Sequence, residues 1–331
     1  MDKIKIAQIG IGHNHGSEKM RAARSFPDVF EVVGVCEADP AWMKSRGSLD
    51  VYQGLPFMSE EELLDVPGLA AVLIETDVWN LIPTAQRCID RDLHVHIDKP
   101  AGENLAAFEK LLADARRQSL VVQLAYMYRY NNAVQYAREM ASSGALGEIF
   151  EIDAVMSTEH SRDFRDWLRH FRGGAMYIFG CHLIDLVIGF RGRPDAITPF
   201  LGKTRHEGVD VYDNTLAVLE YPNGPSTVRV SSVEVNGYGR RQFVVLGTKG
   251  SIEIKPFERP TVVTYAEGGG DIYCDCKRVI ELPSMGGRYD ELLLDFARCV
   301  RGEKENPFGY EHELLIHKAT LMASGFENVT W

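Results

Sequence analysis

Residues 10–16 form a glycine-rich loop that could hold a phosphate-bearing ligand. They read Gly-Ile-Gly-His-Asn-His-Gly, follow the apolar run 4–9 and precede a helical pattern that begins near Ser17. The first glycine of such a loop permits a tight turn, and the second lets the backbone approach a pyrophosphate, which free N–H groups at a helix N-terminus can bind. Gly16 stands one residue later than the third glycine of the strict motif, where His15 occurs instead. The loop predicts a dinucleotide site, and the alternative is a simple turn.

Glu37 is a second feature of the sequence that could contact a dinucleotide. It follows the apolar run 32–36, about 20 residues beyond the loop, where an acid can accept hydrogen bonds from the adenosine ribose of a dinucleotide. A carboxylate at that place would repel a 2′-phosphate. Glu37 therefore favours NAD as the cofactor over NADP, and an ordinary surface acid is the alternative.

Lys99 and His182 are the residues that could move a proton during hydride transfer. Lys99 follows the apolar run 93–97 and precedes Pro100, which favours extended geometry, so the ammonium group should project into a crevice. Oxidation of a carbinol by nicotinamide requires a base at the hydroxyl oxygen. A lysine near the cationic ring has its pKa lowered, and a histidine titrates near ~6.5 unperturbed. On the residues alone, the alternatives are a surface lysine and a buried core histidine.

Residues 1 to about 120 alternate apolar runs with helix-like stretches, which is typical of βαβ units around a parallel sheet. Each run ends at polar or small residues, and in such a sheet these ends form the ligand crevice. A capping sequence at 59–62 and an amphipathic pattern at 104–118 predict helices. The apolar runs are 4–9, 32–36, 70–74 and 93–97.

From about Gly147 the pattern changes to strand-length pieces separated by turn residues, which predicts a mostly antiparallel sheet. A helical segment at 173–190 interrupts the sheet, and helices at 289–301 and 310–326 close the chain. The strand-length pieces are 149–155, 214–221, 227–235, 242–246 and 251–255.

These patterns predict an α/β protein of two domains. A Rossmann dinucleotide-binding domain is expected over 1–122, and an α+β substrate-binding and oligomerisation domain with a large, mostly antiparallel open sheet over 123–331. The last helices are expected to pack back near the first domain. The alternating apolar residues that are candidates for a sheet face covered by a second copy are Val228, Val230, Phe243 and Val245.

The composition of the 331 residues is that of a globular protein, with 45% hydrophobic and 25% charged residues. Because 36 basic residues stand against 47 acidic ones, the net charge of −11 would repel nucleic acid and anionic membranes, and neither is expected as a partner. No apolar stretch predicts a membrane span, and the N-terminal pattern predicts no signal peptide. Six scattered cysteines fit a reducing cytoplasm. The close pair Cys274 and Cys276 lacks the second ligand pair of a structural zinc site, so no metal is predicted.

In combination, these residues resemble the glucose-fructose oxidoreductase/inositol dehydrogenase/MocA (Gfo/Idh/MocA) family over nearly the whole chain. The family carries Glu-Lys-Pro where this sequence has Asp98-Lys99-Pro100. The resemblance implies a Rossmann domain that binds NAD, a carbohydrate-like substrate and a homodimer or homotetramer. The other shared features are the Gly10/Gly12 loop, Glu37, Thr76, the segment 128–131, the link 144–148 and the segment 180–185.

Two segments depart from the family pattern. The helix written Gly-Gly-Gly-x-x-x-Asp-x-Gly-x-His-x-x-Asp in the family retains His182 and Asp185, but Ile178 replaces its first aspartate, which commonly lines the substrate site. The family's Thr-Pro-Asn-x-x-His reads Thr-Asp-Val-Trp-Asn-Leu at 76–81, so Trp79 could cover the nicotinamide or its ribose, or pack in the domain interface. The cation-rich stretch 162–172 either borders the substrate, as in the family, or is a solvated loop.

The resemblance implies an NAD-dependent dehydrogenase that acts on a CH–OH group of a sugar, polyol or sugar derivative. The expected catalytic residues are His182 as the acid or base at the reacting oxygen, Lys99 polarising or orienting it, and Asp185 fixing the imidazole; the reverse division between Lys99 and His182 stays open. One alternative is NAD-assisted redox elimination or glycoside cleavage without net NADH. Another is a sensor that binds NAD or sugar without catalysis.

The residues expected at each ligand follow from the motifs and from the resemblance. The cofactor-binding residues expected are Gly10, Ile11, Gly12, His13, Asn14, Glu37, Thr76, Trp79, Asp98, Lys99 and Pro100. The substrate-binding residues expected are Lys99, Tyr126, Arg165, Trp167, Ile178 and His182.

Overall fold

A computed structural model describes residues 3–268 and 277–331 of the chain. The structure divides into two compact units, of which unit 1 comprises Met1–Met127 and Gly286–Leu314 and unit 2 comprises Tyr128–Met285 and Leu315–Trp331. The close cysteine pair Cys274 and Cys276 lies outside the described residues.

The helices and strands are numbered in chain order. The strands are β1 (Ile4–Ile9), β2 (Phe30–Cys36), β3 (Ala71–Ile74), β4 (His94–Ile97), β5 (Val122–Leu124), β6 (Ile149–Ser157), β7 (Ala196–Gly202), β8 (Asn214–Glu220), β9 (Ser226–Ser231), β10 (Gln242–Gly247), β11 (Gly250–Ile254), β12 (Val262–Glu267) and β13 (Lys277–Glu281). The helices are α1 (Asn14–Ser25), α2 (Pro40–Arg46), α3 (Glu60–Leu64), α4 (Leu81–Ile89), α5 (Leu105–Arg117), α6 (Asn132–Ser142), α7 (Arg162–Leu168), α8 (Cys181–Arg191), α9 (Gly237–Arg240), α10 (Asp290–Val300) and α11 (Tyr310–Ala323).

Unit 1 contains a parallel sheet in the order β2-β1-β3-β4-β5. Its inner strands are apolar runs buried on both faces, as expected where helices cover both sides of a parallel sheet. The sequence predicts four of these strands with ends within two residues of the observed ones. The Rossmann-like fold expected for the first domain is therefore confirmed.

Two helices of unit 1, α3 and α5, begin at capping side chains that are visible in the sequence. The Ser59 hydroxyl accepts the backbone N–H of Glu62, whose carboxylate accepts the N–H of Ser59 in return, which is a capping box. The Asn104 side chain accepts the backbone N–H of Ala107 at the start of α5. These caps satisfy N–H groups that the first turn of a helix leaves without partners.

The boundary of unit 1 differs from the division of the chain at residue 122. Because β5 pairs with β4, residues 122–124 stay within the first sheet. Unit 1 also includes residues 286–314, and Phe296 of α10 packs edge-on against His96 of β4, with 5.7 Å between the ring centroids.

Unit 2 contains, within the described residues, an eight-stranded sheet in the order β13-β12-β11-β10-β6-β9-β8-β7. The β6–β9 pair is parallel, and the other neighbouring pairs are antiparallel. The mostly antiparallel sheet expected for the second domain is therefore confirmed. The sequence does not predict β7, β12 or β13.

The prediction of which face of this sheet is open is wrong. The four candidate residues Val228, Val230, Phe243 and Val245 are fully buried in the core of unit 2. Side chains on the opposite face of the sheet are only partly buried, among them Leu216 and Val218 of β8 and Val244 of β10. A period of two identifies two faces of a strand, but it does not say which face the helices cover.

No helix in the described residues is long and apolar enough to cross a membrane.

Candidate cofactor and catalytic sites

A cavity of about 530 Å³ lies in unit 1 at the carboxyl ends of β1, β2 and β3. This is the place where parallel α/β sheets bind ligands. The expected cofactor residues Gly10, Gly12, Glu37 and Thr76 all line it. The full lining is Ile9, Gly10, Gly12, Cys36, Glu37, Ala38, Asp39, Trp42, Met58, Ser59, Glu60, Glu75, Thr76, Asp77, Asn80, Thr84 and Arg87.

The glycines of the loop are required by close contacts. Gly10 has φ +94°, and a Cβ there would lie 2.4 Å from the carbonyl oxygen of Glu75. A Cβ on Gly16 would lie 3.2 Å from the Gln8 side chain and 3.3 Å from Glu75 Cβ. Gly16 therefore allows α1 to pack closely on β1 and β3, which is the role of the third glycine in the fingerprint.

Glu37 is held at the wall of the cavity by two backbone groups. Its Oε2 accepts the N–H of Ile11 and its Oε1 accepts the N–H of Asp39, both at 2.8 Å. Each carboxylate oxygen carries two lone pairs, so both oxygens can accept further hydrogen bonds. The side chain thus links the glycine loop to the end of β2 and keeps acceptor capacity at the cavity.

Asp98 is the centre of a charged cluster in unit 1. Its Oδ1 accepts a hydrogen bond from Lys19 Nζ at 2.9 Å, and Lys19 also bonds Glu75 Oε1 at 2.7 Å. Its Oδ2 lies 3.3 Å from His13 Nε2 and 3.1 Å from His15 Nδ1. This cluster connects the glycine loop, α1 and the ends of β3 and β4.

The electrostatics of the cluster follow from burial and ion pairing. Burial alone would lower the pKa of Lys19, but the carboxylates of Asp98 and Glu75 raise it above its ordinary value. Burial would raise the pKa of Asp98, but the charge of Lys19 and the bonds from the two imidazoles hold it well below its ordinary value. Burial raises the pKa of Glu75 to about 7 and lowers that of His15 to about 3.

The remaining cofactor candidates lie in three environments. Lys99 and Pro100 are buried and are joined by a cis peptide bond, and Ile11 is fully buried. Asn14 is exposed and its Oδ1 accepts a bond from Arg46. Trp79 is 52% exposed in the short 3-10 turn Val78–Asn80, whose Asn80 lines the cavity.

His182 is buried in unit 2 at the start of α8, directly after a π-helical turn. The ring of Tyr128 lies edge-on to it, with 5.0 Å between centroids, and stacks on Phe257 at 4.5 Å. The Tyr128 hydroxyl donates to Glu258, which also accepts from Arg241 at 2.5 Å. Tyr128 is thus fixed at both its ring and its hydroxyl, beside the imidazole.

Asp185 is bound by a buried arginine. Its carboxylate is held by Arg129, whose Nε lies 3.0 and 3.1 Å from the two oxygens and whose Nη2 lies 2.7 Å from Oδ1. Both side chains are buried, so the pair joins the start of unit 2 to α8.

The four other substrate candidates differ in their surroundings. Arg165 is buried, pairs with Glu207 and donates to the carbonyl oxygens of His160 and His206. Its guanidinium group is therefore bound to partners within unit 2. Trp167 is partly buried against Phe164 and Phe171. Ile178 is buried in the π-helical turn, and Tyr126 is fully buried in unit 1.

Sequence reasoning missed several residues around these sites. Trp42 lines the cavity, and a Cβ on Gly12 would lie 2.9 Å from its indole nitrogen. In the sequence Glu75 is only one of the polar residues that follow the apolar run 70–74, and nothing indicates Lys19 or Glu258. A lysine inside the helical pattern of α1 reads as a solvent-facing charge, and only the fold reveals that it is buried.

Two models of protein families match this chain. The model described as "Oxidoreductase family, NAD-binding Rossmann fold" matches residues 4–126. The model described as "GFO/IDH/MocA C-terminal domain" matches residues 134–253.

Individual proteins that match this chain have sequence identities below 30%. Uncharacterized oxidoreductase YhhX of Escherichia coli (strain K12) is 28% identical over 213 residues, which are 63% of this chain and 59% of that protein. Trans-1,2-dihydrobenzene-1,2-diol dehydrogenase of Mus musculus is 27% identical over 207 residues, which are 61% of this chain and 60% of that protein. The match thus spans about three fifths of the length of each relative.

Several solved structures resemble this chain in fold. Levoglucosan dehydrogenase, in complex with NADH and levoglucosan, has a TM-score of 0.81 at 16% identity and covers 98% of this chain and 97% of its own. The glycine loop, the strand-end cavity and the matches to both domain models together lead to one conclusion: the chain belongs to the Gfo/Idh/MocA family of NAD-binding oxidoreductases.

Proposed function

We propose that the protein is an NAD-dependent dehydrogenase acting on a CH–OH group of a sugar, polyol or sugar derivative. The observation that carries this proposal is the cavity at the strand ends, where Gly10 and Gly12 allow a pyrophosphate to approach and Glu37 offers carboxylate oxygens to a ribose. The substrate class is supported by the named activities of the relatives, which act on a cyclic diol and on an anhydrosugar.

NAD(H) is the proposed cofactor because the cavity wall is acidic. Five carboxylates line it, and its one arginine, Arg87, already pairs with Glu60. Two unit charges 4 Å apart interact with about 1–4 kcal/mol at effective dielectric constants between those of water and of a protein surface. The 2′-phosphate of NADP(H) would meet that repulsion at Glu37. The carboxylates are those of Glu37, Asp39, Glu60, Glu75 and Asp77.

Lys99 and His182 are the proposed acid–base residues. Hydride loss from a carbinol carbon requires the hydroxyl proton to leave, and a buried amine or imidazole in its neutral form can accept it. The nicotinamide supplies the hydride acceptor when it is bound. Arg129 and Asp185 are assigned a positioning role, because their buried ion pair involves the helix that carries His182.

A second candidate is redox-assisted elimination or glycoside cleavage, in which NADH forms and is consumed within one turnover. Ile178 keeps this alternative open, since an apolar side chain in the turn before His182 replaces an aspartate that commonly lines the substrate site in the family. Product formation without accumulation of NADH would distinguish this reaction from net dehydrogenation.

The protein is also proposed to form a homodimer or homotetramer in the cytoplasm. The partly buried Leu216, Val218 and Val244 lie on one face of the unit 2 sheet and supply apolar area that a second copy could cover. Light scattering at micromolar concentration should give at least twice the mass of one chain, and a monomer would contradict this proposal.

The function is tested by mixing the protein with NAD+ or NADH and with each member of a panel of sugars, inositols and keto-sugars. Turnover is followed by the absorbance of the nicotinamide. We expect turnover of at least one member, and Lys99→Ala and His182→Ala should each lower kcat by about 10²–10⁴-fold, with a much smaller change in NADH affinity. His206→Ala, at an exposed histidine, is the matched control. NADH binding without turnover of any panel member would support the sensor alternative, and near-wild-type kcat in either variant would remove that residue from the mechanism.

A further inference from the structure

Three potential metal ligands converge in unit 1 outside the proposed acid–base pair. His13 Nε2 lies 3.3 Å and His15 Nδ1 lies 3.1 Å from the same oxygen, Asp98 Oδ2. Within the part of the chain that the structure describes, these residues form a group whose ligand atoms all lie within 4.8 Å of one another. Imidazole nitrogens and a carboxylate oxygen are a donor set that suits Zn²⁺ and related divalent ions.

Two of the three separations between the ligand atoms match the edge of a small tetrahedral site. Bonds of ~2.0–2.1 Å from zinc to nitrogen or oxygen place neighbouring ligand atoms of a tetrahedron about 3.3–3.4 Å apart. The two distances to Asp98 Oδ2 are within about 0.3 Å of that edge. The side chains of His13 and His15 are 38% and 29% exposed, whereas that of Asp98 is 7% exposed. An ion can therefore enter from the solvent side and keep a fourth position for water.

The neighbours of Asp98 have the form of an outer shell that orients a metal-binding carboxylate. Lys19 donates to Oδ1, which His15 Nδ1 also approaches at 3.3 Å, and Lys19 is itself held by Glu75. Hydrogen bonds of this kind fix the direction of a ligating carboxylate. The buried Lys19–Glu75 pair also keeps the charge around Asp98 balanced, so that Oδ2 retains a negative charge for a cation.

We propose that His13 Nε2, His15 Nδ1 and Asp98 Oδ2 bind one divalent cation of the Zn²⁺ type, with a fourth position open. Ligation transfers the proton of each binding nitrogen to the other nitrogen of its ring. At His13, the proton then occupies Nδ1, which in the metal-free chain accepts the backbone N–H of His15 at 3.1 Å. Metal binding therefore replaces that helix cap and frees the His15 N–H at the start of α1.

The test uses tag-free full-length protein without nucleotide, so its outcome does not depend on the proposed cofactor. Calorimetric titration with Zn²⁺ should show one ion per chain, and Co²⁺ should give the visible absorption of a four-coordinate complex. His13→Ala, His15→Ala and Asp98→Asn should each weaken binding by at least about tenfold. His206→Ala is the matched control, because His206 is exposed and lies 4.0 Å from the carboxylate of Glu207.

Circular dichroism and thermal unfolding establish that each variant is folded. The two alanine substitutions affect half-exposed side chains, so at least these should retain the fold. The proposal is overturned if wild-type protein binds no stoichiometric ion. It is equally overturned if binding persists unchanged in the folded His13 and His15 variants, because the ion then lies elsewhere.

Discussion

Replacing Arg129 with methionine should destabilise unit 2, because it leaves the carboxylate of Asp185 buried without its ion-pair partner. The two side chains are 0% and 1% exposed and share contacts of 2.7, 3.0 and 3.1 Å. Removing one partner of such a pair costs about 3–5 kcal/mol in free energy of unfolding. The charge of Arg138 also acts on Asp185. The free energy of unfolding should therefore fall by about 3 kcal/mol in Arg129→Met. It should fall by at least as much in Asp185→Leu.

A double-mutant cycle separates this structural role from a catalytic one. Arg129→Met/Asp185→Leu removes both charges, so its loss should be smaller than the sum of the single losses by at least ~1 kcal/mol. A catalytic role for Asp185 alone predicts the opposite pattern, in which Asp185→Asn lowers kcat and leaves stability nearly unchanged.

Unfolding of unit 2 must be followed by a fluorescence signal that comes from that unit alone, because a chain of two units need not unfold in one step. The protein has four tryptophans, and a Trp42→Phe/Trp79→Phe background retains only Trp167 and Trp331, which both lie in unit 2. Urea unfolding followed by their fluorescence gives the free energy for that unit. Single losses below ~1 kcal/mol that add without coupling would refute the account of the pair.

Stability should fall in mild acid and after one loop substitution. Burial lowers the pKa of both His96 and His317 to about 3, so the unfolded chain, with a histidine pKa near ~6.5, binds their protons first. Stability is therefore lost as the pH falls below ~6.5, by about 2 kcal/mol per histidine at pH ~5, and urea titrations should show about 2 kcal/mol of the loss removed in His317→Gln; an unchanged acid limb would contradict it. Gly10→Ala should destabilise unit 1 beyond the ~1–3 kcal/mol of positive-φ strain, because its Cβ would clash with the Glu75 carbonyl. Gly54→Ala, at φ +78° with nothing within 4 Å of the Cβ, isolates the strain alone, and equal losses in the two variants would exclude the clash.

Local patterns in the sequence predict the strand ends that form the cavity. A parallel strand is a short apolar run, and the residues that follow it lie at the carboxyl edge of the sheet, so Gly10, Glu37 and Thr76 could be placed before the structure was known. The caps at Ser59 and Asn104 depend on neighbouring residues and are equally visible.

Features that depend on distant residues could not be predicted in this way. Lys19 and Asp98 are 79 residues apart, and their contact requires the packing of α1 over the sheet. The pair of Arg129 and Asp185 spans 56 residues, so local helix spacing gives no sign of it. The covered face of the second sheet was predicted wrongly for the same reason, because the helices that bury Val228 come from elsewhere in the chain.

The most direct test of the central claim is a parallel titration with NADH and NADPH, followed by quenching of protein fluorescence. NADH should bind more tightly by about tenfold or more, the equivalent of ~1.4 kcal/mol. Glu37→Gln should reduce that preference, because the amide keeps the shape of the side chain but removes its charge, whereas Glu61→Gln, at an exposed acid on α3, should not. Binding of NADPH as tight as that of NADH, or absence of binding by either nucleotide, would contradict the assignment of the strand-end cavity as an NAD site.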